Sequence, residues 1–412
     1  MKLNDLNEVE TKIRKGMANL FRTPVSTILD ILHRFSRSLV RDEKVKRIEG
    51  IAFLSNWLRR ENLKKIIETN LGNLEYLDSF IGINRKKLRA FPRGVVSHWI
   101  AGNIPTLSLF SLFQSMLVKN GNVLRIPEDS LPTVLPILQL FATIEAEGVT
   151  GTDLLNSVAI VYFPSSDLQA NTSLSMIADA RVVWGGKEAV EAITGLPKRT
   201  HCEDIVFGPK YSFAVFDREA LESENLSKYL RNIATDSILF EQSACSSPHV
   251  IFVETDEEGI MSFAKLLSKE LERLSRIMPK TDFDPGRGTM IINKRAEYAL
   301  DLQKAVLAPK ENDWTILIDS EVVLEDPVQS RTIFLKPIAD ILETINLITR
   351  NVQTIGNCIR NPKKSEEFAE GVMFRGVARV VPPGQMHIYD SPWDGILLLN
   401  RLVCWNNLTL LE

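Results

Sequence analysis

Strand-like and helix-like segments alternate regularly between about residues 92 and 195 of this 412-residue chain. Short apolar runs such as NVLRIPE and SVAIVYFP are separated by longer segments with helical periodicity, such as TLSLFSLFQSMLVKNG and KEAVEAITGL. A strand, a crossover helix and a second strand form a βαβ unit, and such units build a parallel sheet with helices on both faces. The pattern therefore predicts an α/β fold with a doubly wound sheet.

A second alternating region follows. It contains the strand-like runs YSFAVFD, HVIFVET, TILIDS and TIFLKPI, and helical patterns in SENLSKYLRNIATDSILF, MSFAKLLSKELERLS and IADILETINLI. We expect two doubly wound domains: residues 1–207, which also contain the amphipathic N-terminal helices, and residues 208–385. The boundary falls at the turn expected in EDIVFGPK. The apolar tail, residues 386–412, is expected to be buried, either packing back or lying at an oligomer interface.

Composition excludes several functional classes. The net charge of −3 and pI near 6.1 provide no basic field for nucleic acid. The longest apolar stretch, residues 99–118, contains Gly, Asn and Pro near its start, which favours a buried strand-turn-helix over a membrane span. The N-terminus lacks the pattern of a signal peptide. We therefore expect a cytoplasmic protein with neither a nucleic-acid partner nor a membrane span.

The cysteines limit the chemistry further. They are widely spaced and include no CxxC pair, so we expect neither a metal site nor a disulfide framework. The four are Cys202, Cys245, Cys358 and Cys404.

Cys245 is the candidate nucleophile. It lies in FEQSACSSPHVIFVE, after a helical pattern and directly before a strand. Small residues and Pro favour a tight turn with exposed backbone N–H groups, where a thiol can be activated and its acyl adduct stabilised. The alternative is a buried Cys that serves only as a small apolar side chain.

Asn103 is the candidate oxyanion donor. It follows the first βαβ strand, in AGNIP, and ligands of open α/β sheets bind beyond the carboxyl ends of strands. Its side-chain amide could donate to a developing oxyanion. A turn residue before Pro105 is the structural alternative.

Four residues are candidates for cofactor binding. Gly185 and Gly186 separate a strand from a helical pattern, where backbone N–H groups can meet a phosphate or a nicotinamide. Arg125 and Glu128 follow another strand, where they could bracket a ribose or a 2′-phosphate. As isolated residues, they would be surface charges.

Four segments resemble aldehyde dehydrogenases in order and approximate spacing: PRGVVSHWIAGNIP, KNGNVLRIPED, ADARVVWGGKEAV and FEQSACSSPHVIFV. The similarity covers about residues 90–400. It implies two Rossmann-like domains, with the nicotinamide cofactor bound by residues 1–207 and the catalytic nucleophile carried by residues 208–385. The resemblance implies that Asn103 is the oxyanion amide, that Arg125 and Glu128 contact the adenosine ribose, that Gly185 flanks the cofactor and that Cys245 is the nucleophile.

The sequence departs from that family at the residue that activates the hydrolytic water. Hydrolytic aldehyde dehydrogenases carry a Glu-Leu-Gly-Gly motif whose Glu activates the deacylating water. The matching segment here is VFGPK, which places Val206 at the position of that Glu, while Glu203 and Asp204 are out of register. The resemblance therefore implies an acyl-enzyme that is reduced and not hydrolysed.

The segments AGNIPTLSLFSL, LFEQSACSSPH and SPWDGILLLNRLVCW resemble a subgroup, the acyl-CoA reductases of bacterial fatty-acid reductase systems, including those that feed luminescence. This implies reduction of a fatty acyl-CoA to an aldehyde through a thioacyl-enzyme, with NADPH as cofactor and NADH as the alternative. The donor would be acyl-CoA or an acyl-protein, the latter implying an acyl-protein synthetase as partner. A homo-oligomer is also expected.

Three alternatives remain open at this point. An acyl-phosphate reductase of the same superfamily also needs no hydrolytic base. A cofactor-independent acyl transferase would need only Cys245. A structural subunit with a decayed site would need none of these residues.

Overall fold

The computed structural model describes residues 3–83, 85–280 and 284–411 of the chain. The chain forms two compact units. The first unit consists of Met1–Gly208 and Tyr389–Glu412, and the second of Pro209–Ile388. The first unit is therefore built from two separate stretches of chain.

Four helices open the first unit: α1 (Leu3–Arg22), α2 (Val25–Leu39), α3 (Ile51–Trp57) and α4 (Arg60–Leu71). The apolar side chains of α2 recur at the spacing of one helix face, at Ile28, Ile31, Leu32 and Phe35, and all four are buried. The helical periodicity in this region thus reflects packing of amphipathic helices, as the sequence predicts. An antiparallel hairpin, β1 (Ile81–Ile83) and β2 (Lys86–Pro92), follows.

A five-stranded parallel sheet forms the body of the first unit. The elements of this region, in chain order, are β3 (Val95–Trp99), α5 (Leu107–Leu117), β4 (Gly121–Arg125), α6 (Leu131–Ala142), β5 (Glu145–Ala146), β6 (Val149–Thr150), α7 (Gly151–Leu155), β7 (Val158–Val161), α8 (Leu168–Ile177), β8 (Ala180–Trp184), α9 (Lys187–Thr194) and β9 (Glu203–Phe207). Strands β5 and β6 are not part of the five-stranded sheet. The strand order is β7-β4-β3-β8-β9. The order reverses at β3, which pairs with β4 on one side and with β8 on the other.

Two local expectations in this unit are wrong. The sequence LPTVLPILQLFATIEAEG, residues 131–148, has a helical pattern throughout, but the helix ends at Ala142 and the residues that follow form the short antiparallel pair β5–β6. EDIVF is not a turn, because it forms β9 and pairs in parallel with β8. An edge strand needs only one buried face, so its mixed polar and apolar residues are compatible with strand structure.

The second unit contains β10 (Tyr211–Phe216), α10 (Arg218–Leu221), α11 (Leu226–Ile238), β11 (Pro248–Glu254), α12 (Glu257–Ile277), α13 (Pro285–Leu300), β12 (Ala305–Leu307), β13 (Thr315–Ile318), β14 (Thr332–Ile338), β15 (Val352–Cys358), α14 (Pro362–Phe374) and β16 (Arg379–Val381). The strand order is β12-β13-β14-β11-β10-β15-β16, and only the edge strand β12 runs antiparallel to its neighbour. The α/β fold with two doubly wound parallel sheets predicted from the sequence is confirmed.

The helix expected in IADILETINLI is a single 3₁₀ segment, Ile341–Leu347. The side chain of Asp340 accepts a hydrogen bond from the Leu342 N–H, and the Thr344 hydroxyl donates to the Ile341 carbonyl at 2.7 Å. Such local side-chain bonds to the backbone compete with the regular α-helical pattern.

The C-terminal stretch completes the first unit. After α15 (Leu398–Arg401), β17 (Val403–Thr409) pairs antiparallel with β2, giving a three-stranded sheet β1-β2-β17. The tail alternates between buried and exposed residues up to Val403, which is 2% exposed, and no described residue after Val403 is buried. Trp405 is 38% exposed and Leu408 is 40% exposed.

None of the helices within the described ranges combines the length and the apolar character needed to cross a bilayer.

Candidate active site

A cavity of about 360 Å³ lies at the carboxyl ends of the strands in the first unit. Strands β3, β4 and β8 end at its wall, which is the place where the strand order reverses. Open α/β sheets bind ligands at such reversal points, and the volume is in the usual range for small-molecule sites. The polar or small residues of the wall include Gly102, Arg125, Ser165, Ser166, Asn171, Gly185 and Gly186.

Arg125 is the last residue of β4 and brings a cation to this cavity. Its Nη2 donates to the Phe163 carbonyl at 3.1 Å, and the guanidinium carbon lies 5.8 Å from the centre of the Phe163 ring. No described residue accepts a hydrogen bond from its buried Nε. Partial burial lowers the pKa of the guanidinium. A donor without a protein acceptor, held at a cavity wall, fits an anionic or oxygen-rich ligand such as a dinucleotide.

Gly185 and Gly186 join β8 to α9. Gly186 is the N-cap of α9 and supplies no capping side chain, so N–H groups of the first turn remain available to a ligand. A Cβ on Gly185 would lie 3.1 Å from the Ala189 Cβ, whereas a Cβ on Gly186 would meet nothing within 4 Å. The open space is therefore next to Gly186.

Glu128 and Asn103 are not in the wall of this cavity. Glu128 is exposed in a short 3₁₀ turn, and its hydrogen bond with the Tyr162 hydroxyl raises the pKa of Tyr162. Asn103 is exposed in the loop between β3 and α5, beside the wall residue Gly102. The structure thus brings Arg125, Gly185 and Gly186 together but leaves Glu128 outside the cavity.

Cys245 is half-buried in the turn between α11 and β11, at the amino end of the second sheet. Its carbonyl accepts a hydrogen bond from Ser212 Oγ at 2.7 Å, and Ser212 Oγ accepts one from the Thr354 N–H at 3.1 Å. The Ser247 N–H closes the turn by donating to the Ala244 carbonyl at 2.9 Å. These bonds tie the main chain of the turn to β10 and β15.

Two other cysteines are in less reactive surroundings. Cys202 and Cys358 are buried, and burial raises the pKa of both thiols, that of Cys358 to about 12. Since the thiolate is the nucleophile, such thiols are inert at neutral pH.

A histidine contacts the residue after Cys245. His387 Nδ1 lies 2.9 Å from Ser246 Oγ, and His387 Nε2 lies 2.8 Å from the Asp236 carbonyl oxygen. The carbonyl can only accept, so Nε2 carries the proton and Ser246 donates to Nδ1. Burial lowers the pKa of His387 to about 4, which keeps the ring neutral. Sequence patterns gave His387 no positioning role, because it follows Cys245 by more than a hundred residues.

The carboxyl group of Asp236 adds to this buried cluster. Burial raises its pKa to about 7, although it accepts backbone hydrogen bonds from Gly384 and Met386 that act in the opposite direction. Near neutral pH the Asp236 carboxyl is therefore only partly ionised, while the His387 ring is neutral.

The carboxylates closest in sequence to Val206 are held in ion pairs. Glu203 pairs with Arg93 at 2.7 Å and with Arg401. Partial burial disfavours the charged form of Asp204, but hydrogen bonds from Arg181 and Lys198 outweigh that effect and lower its pKa. Neither carboxylate resembles a poised general base.

A cluster of three carboxylates lies apart from Cys245 in the second unit. Ligand oxygens of Asp319, Glu321 and Glu325 lie within 4.8 Å of one another. The buried ammonium of Lys336 is 2.7 Å from Asp319 and 2.9 Å from Glu325. Lys336 thus already supplies positive charge to two of the three carboxylates.

Comparison with known proteins decides the family. Residues 20–405 match the family model described as acyl-CoA reductase (LuxC). The chain belongs to this family. It is 26% identical over 359 residues to the long-chain acyl-protein thioester reductase of Vibrio harveyi, a match that covers 85% of this chain and 72% of the relative. The family assignment made from the sequence motifs is confirmed, and with it the oxidoreductase class.

Solved structures show the same fold at low identity. The NADP complex of the NADP-dependent glyceraldehyde-3-phosphate dehydrogenase of Bacillus halodurans C-125 superposes with a TM-score of 0.70 at 13% identity, covering 100% of this chain and 92% of that chain. The NAD-dependent benzaldehyde dehydrogenase of Corynebacterium glutamicum gives 0.67 at 13% identity, covering 99% and 90%. The fold is that of the aldehyde dehydrogenases.

Proposed function

We propose that this family member reduces a fatty acyl thioester to the aldehyde through a thioacyl intermediate on Cys245, with NADPH as cofactor. The name of the Vibrio harveyi relative specifies an acyl-protein thioester as substrate. We therefore favour an acyl-protein donor, with acyl-CoA as the second donor. An acyl-protein donor also implies an acyl-protein synthetase as partner.

The observation that carries the proposal is the setting of Cys245. Its side chain is only half-buried, in a turn whose main chain is fixed by Ser212 and flanked by the neutral ring of His387. An accessible thiol in a fixed main-chain frame is what acyl transfer to cysteine needs.

The Cys245 thiolate attacks the thioester carbonyl and forms a new carbon–sulfur bond. The carbon–sulfur bond to the donor then breaks, and the donor leaves as a thiolate that takes up a proton. The side-chain amide of Asn103 and the backbone N–H of Cys245 are the proposed donors to the tetrahedral oxyanion. When bound, a reduced nicotinamide would supply a hydride to the carbonyl carbon of the thioacyl group on Cys245. The resulting thiohemiacetal then collapses, which releases the aldehyde and restores the thiolate of Cys245.

Arg125, Gly185 and Gly186 are the residues that would hold the cofactor. The free donor of Arg125 suits the 2′-phosphate of NADPH, and the N–H groups at the start of α9 suit a phosphate or the nicotinamide amide. Glu128 would favour the ribose diol of NADH, but its side chain is taken up by Tyr162. NADH remains the alternative cofactor.

Hydrolysis of the acyl-enzyme is disfavoured in this proposal. Val206 takes the place of the Glu that activates water in the hydrolytic aldehyde dehydrogenases, and Glu203 and Asp204 are in ion pairs. A positioned general base typically contributes roughly 10²–10⁴-fold, so its absence leaves the thioester long-lived.

Mass spectrometry of the intact protein tests the function directly. After exposure to a fatty acyl-CoA without nicotinamide, we expect one acyl adduct on Cys245 that persists for minutes and is discharged as aldehyde when NADPH is added. Rapid release of free fatty acid in the absence of cofactor would contradict the proposal. An adduct that is unaffected by NADPH and passes only to thiols would indicate an acyl transferase.

Two further proposals concern the setting of the enzyme. A reduced Cys245 requires a reducing compartment, which agrees with the cytoplasmic location proposed from the sequence. We also propose a homo-oligomer, which the partly exposed apolar side chains of β17 would favour. Light scattering of the purified protein would test the oligomer.

A further inference from the structure

The chain approaches Cys245 through an unusual run of backbone. Phe240, Glu241 and Gln242 have φ angles of 55°, 49° and 58°, and none of them is glycine. Non-glycine residues rarely adopt the left-handed region singly, because Cβ crowds the following carbonyl oxygen. Three in succession require contacts that hold them there.

A second run of the same kind lies directly before β14. Gln329, Ser330 and Arg331 have φ angles of 64°, 55° and 64°. The Ser330 N–H donates to the Glu241 carbonyl at 2.8 Å. The two left-handed runs are therefore in direct contact.

The side chain of Gln242 connects the beginnings of two strands. Its Nε2 donates to the Pro248 carbonyl at 2.9 Å and to the Thr332 carbonyl at 3.0 Å, and its Oε1 accepts from the Thr332 N–H at 2.7 Å. Gln242 is fully buried. The side-chain amide thus bridges the main chains of β11 and β14 at their amino ends.

Glu241 and Arg331 form an ion pair across the same contact. Arg331 Nε lies 2.9 Å from Glu241 Oε2, and Arg331 Nη2 lies 2.5 Å from Glu241 Oε1. The Arg331 side chain is 3% exposed and that of Glu241 is 13% exposed. Arg331 Nη1 also donates to the Met278 carbonyl at 3.0 Å. Paired hydrogen bonds between guanidinium and carboxylate fix orientation as well as distance.

We propose that Glu241, Gln242 and Arg331 form a latch that fixes the left-handed approach to Cys245 and thereby sets the position of the nucleophile. The inference rests on the proposed role of Cys245. All three are positioning residues, since they act through the turn and not on the substrate. A small misplacement of a reacting atom can cost about a hundredfold in rate, so the latch contributes to acylation and not only to stability.

Glu241→Ala and Glu241→Gly separate the two effects. Both remove the carboxylate, but glycine accepts a φ near 50° without the Cβ penalty. We expect Glu241→Ala to slow single-turnover acylation of Cys245 by a fatty acyl-CoA about tenfold or more, with a smaller loss in Glu241→Gly. At most other positions in folded proteins, substitution by glycine destabilises the fold more than substitution by alanine. A larger loss of acylation rate in Glu241→Ala than in Glu241→Gly would therefore be specific to the left-handed backbone.

Glu270→Ala is the matched control. Glu270 pairs with Arg273 at 2.9 Å in α12 and its side chain is 18% exposed, but its backbone is helical. This variant should lose a similar ion pair and leave the reactivity of Cys245 unchanged. All rates are measured below the melting temperature of each variant, and folding is checked by circular dichroism.

Alkylation of Cys245 by iodoacetamide keeps the latch testable without any acyl donor. If the wild type is not acylated, the proposed function fails, but Glu241→Ala should still change the alkylation rate relative to the wild type and to Glu270→Ala. Unchanged alkylation and acylation in folded Glu241→Ala would overturn the latch while leaving the function intact. Equal losses in the Ala and Gly variants would show that backbone conformation is not what the latch controls.

Discussion

The two sheets place their candidate residues at opposite edges. In the first unit, Arg125 and the Gly185–Gly186 pair lie at the carboxyl ends of parallel strands, around the cavity where the strand order reverses. In the second unit, Cys245 precedes β11 and lies at the amino end of the sheet. The general rule for open α/β sheets therefore describes the first unit but not the second.

The carboxyl edge of the second sheet is occupied by its own ion pairs. Lys336 binds Asp319 at 2.7 Å, and Lys364 bridges Glu254 at 2.9 Å and Asp340 at 3.0 Å. A ligand can bind only at an end of the sheet that ion pairs do not occupy. Which end that is depends on the side chains at the strand ends as well as on the topology of the sheet. We therefore expect kinetic effects at the carboxyl edge of the first sheet and at the amino edge of the second.

The largest effect is expected from Cys245→Ala. Without the thiol, acyl-enzyme formation and aldehyde production should fall below detection, while NADPH binding, followed by fluorescence titration, stays nearly unchanged. Cys404→Ala is the control, because Cys404 is also half-buried but lies on β17. A covalent acyl adduct on the Cys245→Ala protein would show that another residue is the nucleophile. The amino end of the second sheet would then not be a site of catalysis.

Asn103→Ala should be next in size. An oxyanion donor acts mainly in the transition state, so kcat should fall by roughly 10²–10³ with little change in KM. Steady-state kinetics combined with thermal melting distinguish this role from that of a turn residue. A lowered melting temperature and a raised KM, with kcat preserved, would make Asn103 structural.

Arg125→Ala should weaken cofactor binding without affecting acylation. Loss of a charge-assisted contact of about 1.5–3 kcal/mol raises the Kd by roughly ten- to a hundredfold. The loss should be greater for NADPH than for NADH if the guanidinium meets the 2′-phosphate. Lys228→Ala, at an exposed position of α11, controls for the change in net charge. Equal losses for both cofactors would place Arg125 away from the 2′ position.

The smallest kinetic effect is expected at the carboxyl edge of the second sheet, which is occupied by ion pairs. Lys364→Met removes a partly buried cation from two carboxylates and should lower the free energy of unfolding by roughly 1 kcal/mol, with kcat and KM unchanged. Lys363→Met, at the exposed neighbouring position, should change neither stability nor kinetics. A kinetic defect in Lys364→Met alone would show that the carboxyl edge of the second sheet also takes part in function.

Periodicity predicted most of the fold because the strongest patterns coincide with complete burial. Strands β3 and β8 are buried at every residue, and they read as apolar runs between helical segments. The failures lie where local bonding or edge position decides the structure. EDIVF mixes polar and apolar residues because β9 is an edge strand, and Thr344 helps to turn an apparent helix into a 3₁₀ segment.

The candidate site was only partly predictable for a similar reason. Arg125, Gly185 and Gly186 could be proposed from the sequence because each lies at the end of a recognisable strand, and all three line the cavity. The roles of His387 and Arg331 arise from contacts across about 141 and 90 residues of sequence, respectively. Neither contact leaves a short-range pattern, and a single sequence does not show which distant residues meet.

The pairing of β2 with β17 has a consequence for synthesis of the chain. Residues 86–92 find their strand partner only at residues 403–409, and Arg93 and Asn120 also bond to main-chain carbonyls of residues 401–403. At about 5–20 residues per second, a ribosome needs roughly 15–60 s to translate the intervening 300 or so residues. In that interval the second unit, which is continuous in sequence, can fold first, while the nascent first unit presents one edge of β2 without its strand partner. Chaperone binding to the nascent chain should therefore persist until residues 403–409 have emerged and can pair with β2.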